Sequence, residues 1–273
     1  MIVALMYCKS DLEPTMQLAR LLADIEPEPR QDVILALVRQ PDVALDELTD
    51  RTSRHCARKF TVENVVSPLG AQGHPQGCTA LWTGTCLHYY ERFARGELDE
   101  HRGLLTLDGG DGIPLHRDWI SLFKKEHDRT LGLHLRITGT PYFIDRCPLH
   151  VNPNALFDLR VFGQTRLLTP PVYDGTLETH FDIYHREEML AQASLSSVVR
   201  TDWHGQGQPA TRELLLNRSR RAIWLHGYKD DNLRWLCREH LRDLPAPPQI
   251  CHYTLPEMRQ RELLRRSYEE VNW

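Results

Sequence analysis

The chain has 273 residues, 41% of them hydrophobic and 26% charged, which is the composition of an ordinary globular protein. A chain of this length forms one large α/β domain or two small ones. The formal net charge of −4 excludes a strongly basic overall field of the kind that attracts nucleic acid, but it leaves a local basic patch open.

The seven cysteines form no Cys-x-x-Cys pair, and their odd number argues against a disulfide framework or a zinc ribbon. We therefore expect a reduced, cytoplasmic protein. The apolar segment at 1–7 has no positively charged region before it, so it does not resemble a signal peptide. No apolar run reaches the length that spans a bilayer, and we expect no membrane partner.

The first part of the chain predicts a β-loop-α-β unit, which is the start of a parallel sheet. Its strand, loop, helix and second strand are expected over residues 2–7, 8–11, 14–25 and 32–39. In such a unit the loop after the first strand lies at the edge where ligands bind. Tyr7, Lys9 and Asp11 are therefore candidates for contacts with a nucleotide base and ribose, or else ordinary polar loop residues.

The next elements continue the α/β pattern. A helix, a strand and a second helix are expected over residues 45–59, 61–66 and 78–95. The glycine-rich loop at 70–77 lacks the spacing of a Walker or dinucleotide motif. We expect the aromatic residues of the helix at 78–95 to lie in the core rather than on a stacking surface.

Residues 104–119 read Leu-Leu-Thr-Leu-Asp-Gly-Gly-Asp-Gly-Ile-Pro-Leu-His-Arg-Asp-Trp. A short apolar run bounded by turn residues predicts a buried strand, with Asp108 and Asp111 at its carboxyl end. The glycines allow a sharp turn, so both carboxylates could face one pocket and bind Mg²⁺ or Mn²⁺. The alternative is a glycine-rich turn whose aspartates only cap a loop.

The middle of the chain predicts a helix, a strand and a long loop over residues 118–127, 133–138 and 163–176. Between them, the segment at 147–157 is expected to hold a strand or turn and then a short helix that begins at Pro153 or Asn154. Asn152 and Asn154 could fix sugar hydroxyls, or they could cap that helix.

Glu178 and Asp182 are predicted to lie one helical turn apart on the same face. Two carboxylates beside histidines can act as general acid and base, although they could equally be a surface pair. The glycine-rich segment at 203–211 is predicted to be a flexible loop and is a candidate lid.

A strand is predicted to end at His226, with Lys229 in the following turn and a helix beginning at Asp230 or Asp231. A neutral histidine is a good metal ligand and a lysine can neutralise a phosphate, but a histidine at a strand end can also be structural. A proline-rich linker precedes a C-terminal helix. Several arginines could contact a phosphate backbone or form a solvated face: Arg218, Arg220, Arg221, Arg259, Arg261, Arg265 and Arg266.

Four segments together resemble glycosyltransferases of the GT-A fold, which use nucleotide-sugar donors. They are the β-loop-α-β start, Leu107-Asp-Gly-Gly-Asp-Gly-Ile-Pro-Leu115, His150-Val-Asn-Pro-Asn-Ala-Leu-Phe157 and His226-Gly-Tyr-Lys-Asp230. The second is similar to the acidic Asp-x-Asp metal motif, but here two glycines separate the acids. If Asp111 matches the last acid of the motif, Gly109 occupies the first acidic position. Then either Asp108 is displaced into that role, or the metal relies on Asp111 and His226.

The resemblance implies an α/β fold of GT-A type, a Rossmann-like mixed sheet flanked by helices, with a C-terminal helical tail. It implies a single glycosyltransferase domain at 1–244, with a nucleotide-sugar half at 1–115 and an acceptor half at 116–244. Residues 245–273 are then a linker and a C-terminal helix.

The resemblance also implies a mechanism in which Asp111, Asp108 and His226 hold Mn²⁺ or Mg²⁺ on the diphosphate of a UDP-sugar. Lys229 would neutralise the diphosphate, and Tyr7, Lys9, Asp11, Asn152 and Asn154 would contact the donor. If the reaction inverts the anomeric configuration of the sugar, Asp182 is the expected base, with Glu178 as the second candidate. A reaction that retains this configuration needs no such base.

The acceptor is expected to be a hydroxymethylpyrimidine, such as hydroxymethylcytosine, in phage DNA, because the chain resembles viral glycosyltransferases that modify DNA. Such an enzyme would act in the host cytoplasm and would flip its base out of a duplex. A glycan or protein acceptor is the alternative. Two other functional hypotheses remain: a sugar nucleotidyltransferase, and a non-enzymatic DNA-binding or assembly module.

Overall fold

The computed structural model describes residues 1–71, 73–98, 103–144, 147–171, 180–202, 210–227, 232–243 and 246–271. Within these ranges, none of the helices has the length and apolar character needed to cross a membrane.

The amino-terminal half begins with alternating strands and helices. They are β1 (Ile2–Tyr7), a 3-10 turn (Lys9–Asp11), α1 (Leu12–Ile25), β2 (Arg30–Arg39), α2 (Glu47–Cys56), β3 (Phe60–Val66) and α3 (Gln76–Ala94). β1 pairs with β2 and β2 pairs with β3, both in parallel. The apolar run of β1 is fully buried because helices cover both faces of the sheet. The predicted β-loop-α-β start is therefore confirmed.

The aromatic side chains of α3 pack inward, as predicted. Trp82 is 1% exposed and stacks on Phe181, with 4.5 Å between the ring centroids. The Tyr89 side chain is also buried. These rings belong to a core cluster on one face of the sheet, so they do not form a stacking surface for a ligand.

The middle of the chain joins the same sheet and adds a smaller one. Its elements are β4 (Gly103–Asp108), β5 (Ile113–Pro114), α4 (Trp119–Gly132), β6 (Ile137–Gly139), β7 (Pro141–Ile144), β8 (Cys147–Val151), β9 (Leu156–Asp158), α5 (Val161–Gln164), α6 (Phe181–Tyr184) and α7 (Arg186–Gln192). β4 pairs in parallel with β1, so Asp108 lies beside Met6 at the carboxyl edge.

Two predictions in this region are wrong. The strand expected over 133–138 begins only at Ile137, because α4 continues to Gly132 and Leu133 remains 52% exposed. The helix expected from Pro153 or Asn154 is instead the strand β9. Leu156 in β9 is buried and pairs with both β4 and β6, so contacts between distant strands decided its conformation.

The last elements complete an eight-stranded and a three-stranded sheet, while β7 and β8 pair with each other in a separate two-stranded sheet. They are β10 (Ala193–Ser196), β11 (Val199–Thr201), α8 (Arg212–Ser219), β12 (Trp224–His226), α9 (Leu233–Arg242), β13 (His252–Tyr253) and α10 (Leu255–Val271). The large sheet has eight strands in the order β13-β10-β6-β9-β4-β1-β2-β3, and it is mixed because β9 and β13 run antiparallel to their neighbours.

A three-stranded sheet, ordered β11-β12-β5, brings residues distant in sequence to the carboxyl edge of the large sheet. β12 pairs antiparallel with β5, which follows the Asp-Gly-Gly-Asp turn directly. A Cβ atom on Gly112 would lie 2.5 Å from Nε1 of Trp224, so only glycine allows β12 to approach this closely. This packing places His226 beside the turn.

Candidate metal centre at the carboxyl edge of the sheet

Two carboxylates and one imidazole meet at the carboxyl edge of the sheet, and we call them the acid–histidine cluster: Asp108, Asp111 and His226. Nε2 of His226 lies 3.1 Å from Oδ2 of Asp108 and 3.5 Å from Oδ1 of Asp111. One ligand atom from each residue lies within 4.8 Å of the others, which is close enough for a single cation. These three residues were predicted as metal ligands, and the fold brings them together.

Burial divides the cluster into an enclosed part and an open part. Asp111 is 6% exposed and His226 is 2% exposed, whereas the side chain of Asp108 is 48% exposed. Two carboxylates at this separation repel each other, and a cation or a protonated His226 relieves the repulsion. Carboxylate oxygens and an imidazole nitrogen are ligands that Mn²⁺ accepts, and carboxylates also suit Mg²⁺. The open side leaves room for the oxygens of a ligand.

The turn between the two acids explains why an acid stands at position 108 and not at 109. A Cβ atom on Gly109 would lie 2.3 Å from Oγ1 and 2.8 Å from Cβ of Thr15, which is buried in α1. No side chain fits at Gly109 unless α1 moves. The backbone at Gly109 therefore packs directly on α1. The acids on either side of the glycine pair, Asp108 and Asp111, both contact His226.

We expect the substitution Gly109→Ala to destabilise the protein by about 1–3 kcal/mol, the usual cost of overpacking. The midpoint of urea unfolding, followed by circular dichroism, measures this change. Gly132→Ala is the matched control because a Cβ atom there meets nothing within 4 Å. Equal midpoints for the two variants would contradict the close contact with Thr15.

Asn154 orients Asp108 through two hydrogen bonds. Its Oδ1 accepts a hydrogen bond of 2.8 Å from the backbone N–H of Asp108, and its Nδ2 donates to Oδ2 of Asp108 at 3.3 Å. Asn152 holds Asn154 in turn, since Oδ1 of Asn152 accepts from the backbone N–H and from Nδ2 of Asn154. Nδ2 of Asn152 donates to Oγ1 of Thr201. Both asparagines are buried, and in this structure they hold Asp108 in place.

The three predicted nucleotide contacts lie at different depths. Asp11 lies beside the turn, because its Oδ1 is 3.2 Å from the position of a Cβ atom on Gly110. It also accepts a hydrogen bond from Sγ of Cys8. Lys9 is exposed on the same loop. Tyr7 is only 1% exposed and packs in the core, where loss of hydration raises the pKa of its hydroxyl. Lys9 and Asp11 can therefore reach a ligand without rearrangement, whereas Tyr7 cannot.

Asp182, in α6, lies close enough to the cleft for its charge to act on Cys78, as the charges of Asp108 and Asp11 do, and it contacts a histidine. Its Oδ2 lies 3.4 Å from Nε2 of His150, and Nδ1 of His150 lies 2.8 Å from the carbonyl oxygen of Pro148. His150 is 3% exposed. A carboxylate backed by a buried imidazole can accept and pass on a proton. Two other predicted site residues, Glu178 and Lys229, lie outside the described residues, as does most of the candidate lid at 203–211.

Two residues of this cleft carry no sequence motif that would single them out. Arg234, in the first turn of α9, donates from Nη2 to the carbonyl oxygen of Gly110 at 3.1 Å and so secures the turn. Cys78 is exposed near the start of α3. Desolvation raises the pKa of its thiol to about 12, and the negative charges of Asp108, Asp11 and Asp182 contribute to the increase. Cys78 therefore lies among the acids of the cleft.

This raised pKa predicts that Cys78 reacts slowly with iodoacetamide despite its exposure. Only the thiolate reacts, so at pH 8 alkylation of the native protein should be on the order of 100-fold or more slower than in guanidinium, where the thiol has an ordinary pKa. Between pH 7 and pH 10 the rate should rise about tenfold per pH unit, because the thiol stays almost fully protonated over that range. Peptide mass spectrometry measures labelling at Cys78 specifically. A plateau below pH 10 would contradict the raised pKa.

No known family model and no curated protein matches this chain. Among solved structures, the galactosyltransferase LgtC in complex with donor and acceptor sugar analogs aligns over 91% of this chain and 98% of its own, with a TM-score of 0.53 and 10% identity. Mouse xyloside xylosyltransferase 1 aligns over 82% and 96%, with a TM-score of 0.49 and 14% identity. The glycosyltransferase GlyE of Streptococcus pneumoniae aligns over 88% and 59%, with a TM-score of 0.48 and 12% identity.

The similarity to LgtC shows the fold. The chain has the mixed α/β sheet flanked by helices that was predicted, and this architecture is that of GT-A glycosyltransferases. The acid–histidine cluster lies at the carboxyl edge of this sheet, where open α/β sheets bind their ligands.

Proposed function

We propose that the chain is a metal-dependent glycosyltransferase that moves a sugar from a UDP-sugar to an acceptor hydroxyl. The observation that carries the proposal is the acid–histidine cluster at the carboxyl edge of a sheet with the GT-A fold. A fold alone does not define a function. A fold that places suitable metal-ligating side chains at its usual ligand-binding edge does support a functional proposal.

Asp108, Asp111 and His226 would hold Mn²⁺ or Mg²⁺. When bound there, the cation supplies positive charge that stabilises the leaving diphosphate. Asn154 and Arg234 fit this function because they fix Asp108 and the turn before any ligand arrives. Lys229, three residues after His226, would add a second positive charge at the diphosphate. Arranging these groups in advance lowers the cost of reorganisation during reaction.

Asp182 is our candidate base if the reaction inverts the sugar, with Glu178 as the second candidate. The support for Asp182 is its position at the cleft and the contact with His150, which can keep its carboxylate oriented. If the reaction retains the sugar configuration, no base is required and Asp182 orients the acceptor. The acids of the turn come from residues 1–115 and Asp182 comes from 116–244, which fits a donor half and an acceptor half.

The acceptor that we propose is a hydroxymethylpyrimidine, such as hydroxymethylcytosine, in phage DNA, with a glycan or protein as the alternative. The sugar acceptor analog bound to LgtC supports the glycan alternative. All seven cysteines are free, which fits a protein that acts in the host cytoplasm.

The function is tested by incubating the protein with Mn²⁺ and a panel of nucleotide sugars, with and without hydroxymethylated DNA, and measuring release of nucleoside diphosphate. We expect release from a UDP-sugar, stimulation by the acceptor and complete loss with EDTA. Absence of release from every donor would refute the transferase. Release of pyrophosphate from a nucleoside triphosphate and a sugar phosphate would instead identify a nucleotidyltransferase.

A further inference from the structure

A groove lined by arginines opens beside the proposed transferase site. It has a volume of about 640 Å³ and lies between β11, the end of α8 and the start of α10. We call it the arginine groove, and six side chains define it: Arg200, Arg218, Arg220, Arg221, Arg261 and Arg265. The chain as a whole is acidic, so this concentration of positive charge is local.

The carboxylates near the groove neutralise only part of its charge. Asp202 pairs with both Arg200 and Arg218, at 2.9 Å and 2.7 Å, and Glu257 pairs with Arg261 at 2.6 Å. Across the described ranges, no carboxylate lies within ion-pair distance of the exposed Arg220 and Arg221. The excess charge attracts a polyanion, because a concave surface of one sign concentrates the electric field.

Two of these arginines lie over aromatic rings, so each pair presents a ring and a guanidinium plane to the groove. The guanidinium of Arg261 lies 5.4 Å from the ring centre of Tyr253, and that of Arg265 lies 5.9 Å from the ring centre of Phe143. Both rings line the groove and both are only partly buried. Grooves that bind single-stranded nucleic acid combine basic side chains along the backbone with aromatic faces on which bases stack. Inorganic polyphosphate has neither bases nor apolar faces, so it would leave the rings unused.

One residue, Thr201, links the groove to the acid–histidine cluster. Thr201 lines the groove, and it pairs with His226 in the adjacent strand of the small sheet. Its hydroxyl also accepts the hydrogen bond from Asn152, which holds Asn154 against Asp108. A nucleic-acid strand docked in the groove would therefore lie one β-strand away from His226 of the cluster.

We infer that the arginine groove binds single-stranded nucleic acid and presents it to the transferase site. The inference rests on the proposed function for the transfer step but not for the binding itself. Duplex DNA keeps its bases stacked inside and cannot use the aromatic faces, so the groove favours a single strand or a locally opened one.

The test is fluorescence anisotropy of the full chain with a labelled oligodeoxynucleotide of about 12 nucleotides, within the range that such grooves cover. We expect binding that weakens with salt, and a loss of roughly tenfold or more in the double variant Arg220→Gln, Arg221→Gln. The plot of log association constant against log salt concentration should become less steep by about 1.4 when two phosphate contacts are lost.

The matched control is the double variant Arg54→Gln, Arg58→Gln, which removes the same charge from exposed positions. These residues lie at and just after the end of α2, near the edge strand β3, whereas Tyr253 lies in β13 at the opposite edge of the sheet. This control should bind the strand as the unaltered protein does. Equal weakening in both double variants would overturn the inference, because it would show that only net charge matters.

Competition identifies the ligand class. A single strand with bases should compete at least about tenfold better than duplex DNA or inorganic polyphosphate of equal charge, since stacking adds affinity for each base. Equal competition by polyphosphate would overturn the assignment to nucleic acid. Binding of Mn²⁺ and UDP, measured on the same proteins, should be unaffected by Arg220→Gln, Arg221→Gln. Failure of the UDP titration refutes the proposed function, and failure of the oligonucleotide titration refutes this inference.

Discussion

Replacing Asp111 by Asn should weaken the binding of Mn²⁺ together with UDP by more than about 100-fold. Loss of a group that only hydrogen-bonds to a metal ligand lowers metal affinity by up to about 100-fold, and Asp111 is itself a proposed ligand. Asp111 is the more buried of the two acids, and its Oδ1 lies 3.5 Å from Nε2 of His226. Asparagine preserves the shape of the side chain but removes its charge, so the fold should survive. Isothermal titration calorimetry measures the affinity directly, with no need to know the acceptor.

The matched control for this experiment is Asp128→Asn, which changes an exposed aspartate on α4. It should bind Mn²⁺ and UDP as the unaltered protein does. His226→Ala should lose binding as Asp111→Asn does, since the two residues belong to one cluster. If both variants keep the affinity of the control, the cluster does not hold the metal.

Replacing Asp182 by Asn should reduce the rate of UDP release at saturating donor by about 100-fold to 10,000-fold, the range that loss of a general base causes. The affinity for Mn²⁺ and UDP should not change, because Asp182 comes from α6 and is not part of the cluster. A fall in turnover with unchanged donor binding marks an interaction made only during reaction.

The control for Asp182 is Asp50→Asn, an exposed aspartate on α2. Loss of turnover in both variants would point to a general effect of charge. An unchanged turnover in Asp182→Asn would exclude Asp182 as the base and favour a retaining reaction. His150→Gln should produce a smaller loss than Asp182→Asn, because His150 acts through the carboxylate 3.4 Å away.

Local patterns in the sequence were sufficient for the main architecture and for the position of the two acids. The apolar runs of β1 and β4 are buried on both faces, so their residue composition alone indicated strands. Because parallel strands end at a common edge, the acid after β4 and the loop after β1 were both expected to lie at that edge. Asp11 and the turn are indeed adjacent.

Contacts between residues distant in sequence account for the features that local patterns did not predict. Asp108 approaches His226 because β12 packs closely against the turn at Gly112. β9 is a strand because β4 and β6 supply its hydrogen-bonding partners. Nothing in the sequence near Asn154 shows that its amide faces Asp108.

The arginine groove illustrates the same division. The order of residues shows that arginines cluster at 218–221 and in the C-terminal helix, and that each cluster could be a solvated face. The fold alone places Arg221 and Arg261 around one cavity, next to Thr201 and the strand that carries His226. The physical reason is that local periodicity determines which face of an element is apolar, whereas the charged faces that meet are determined by long-range packing of whole elements.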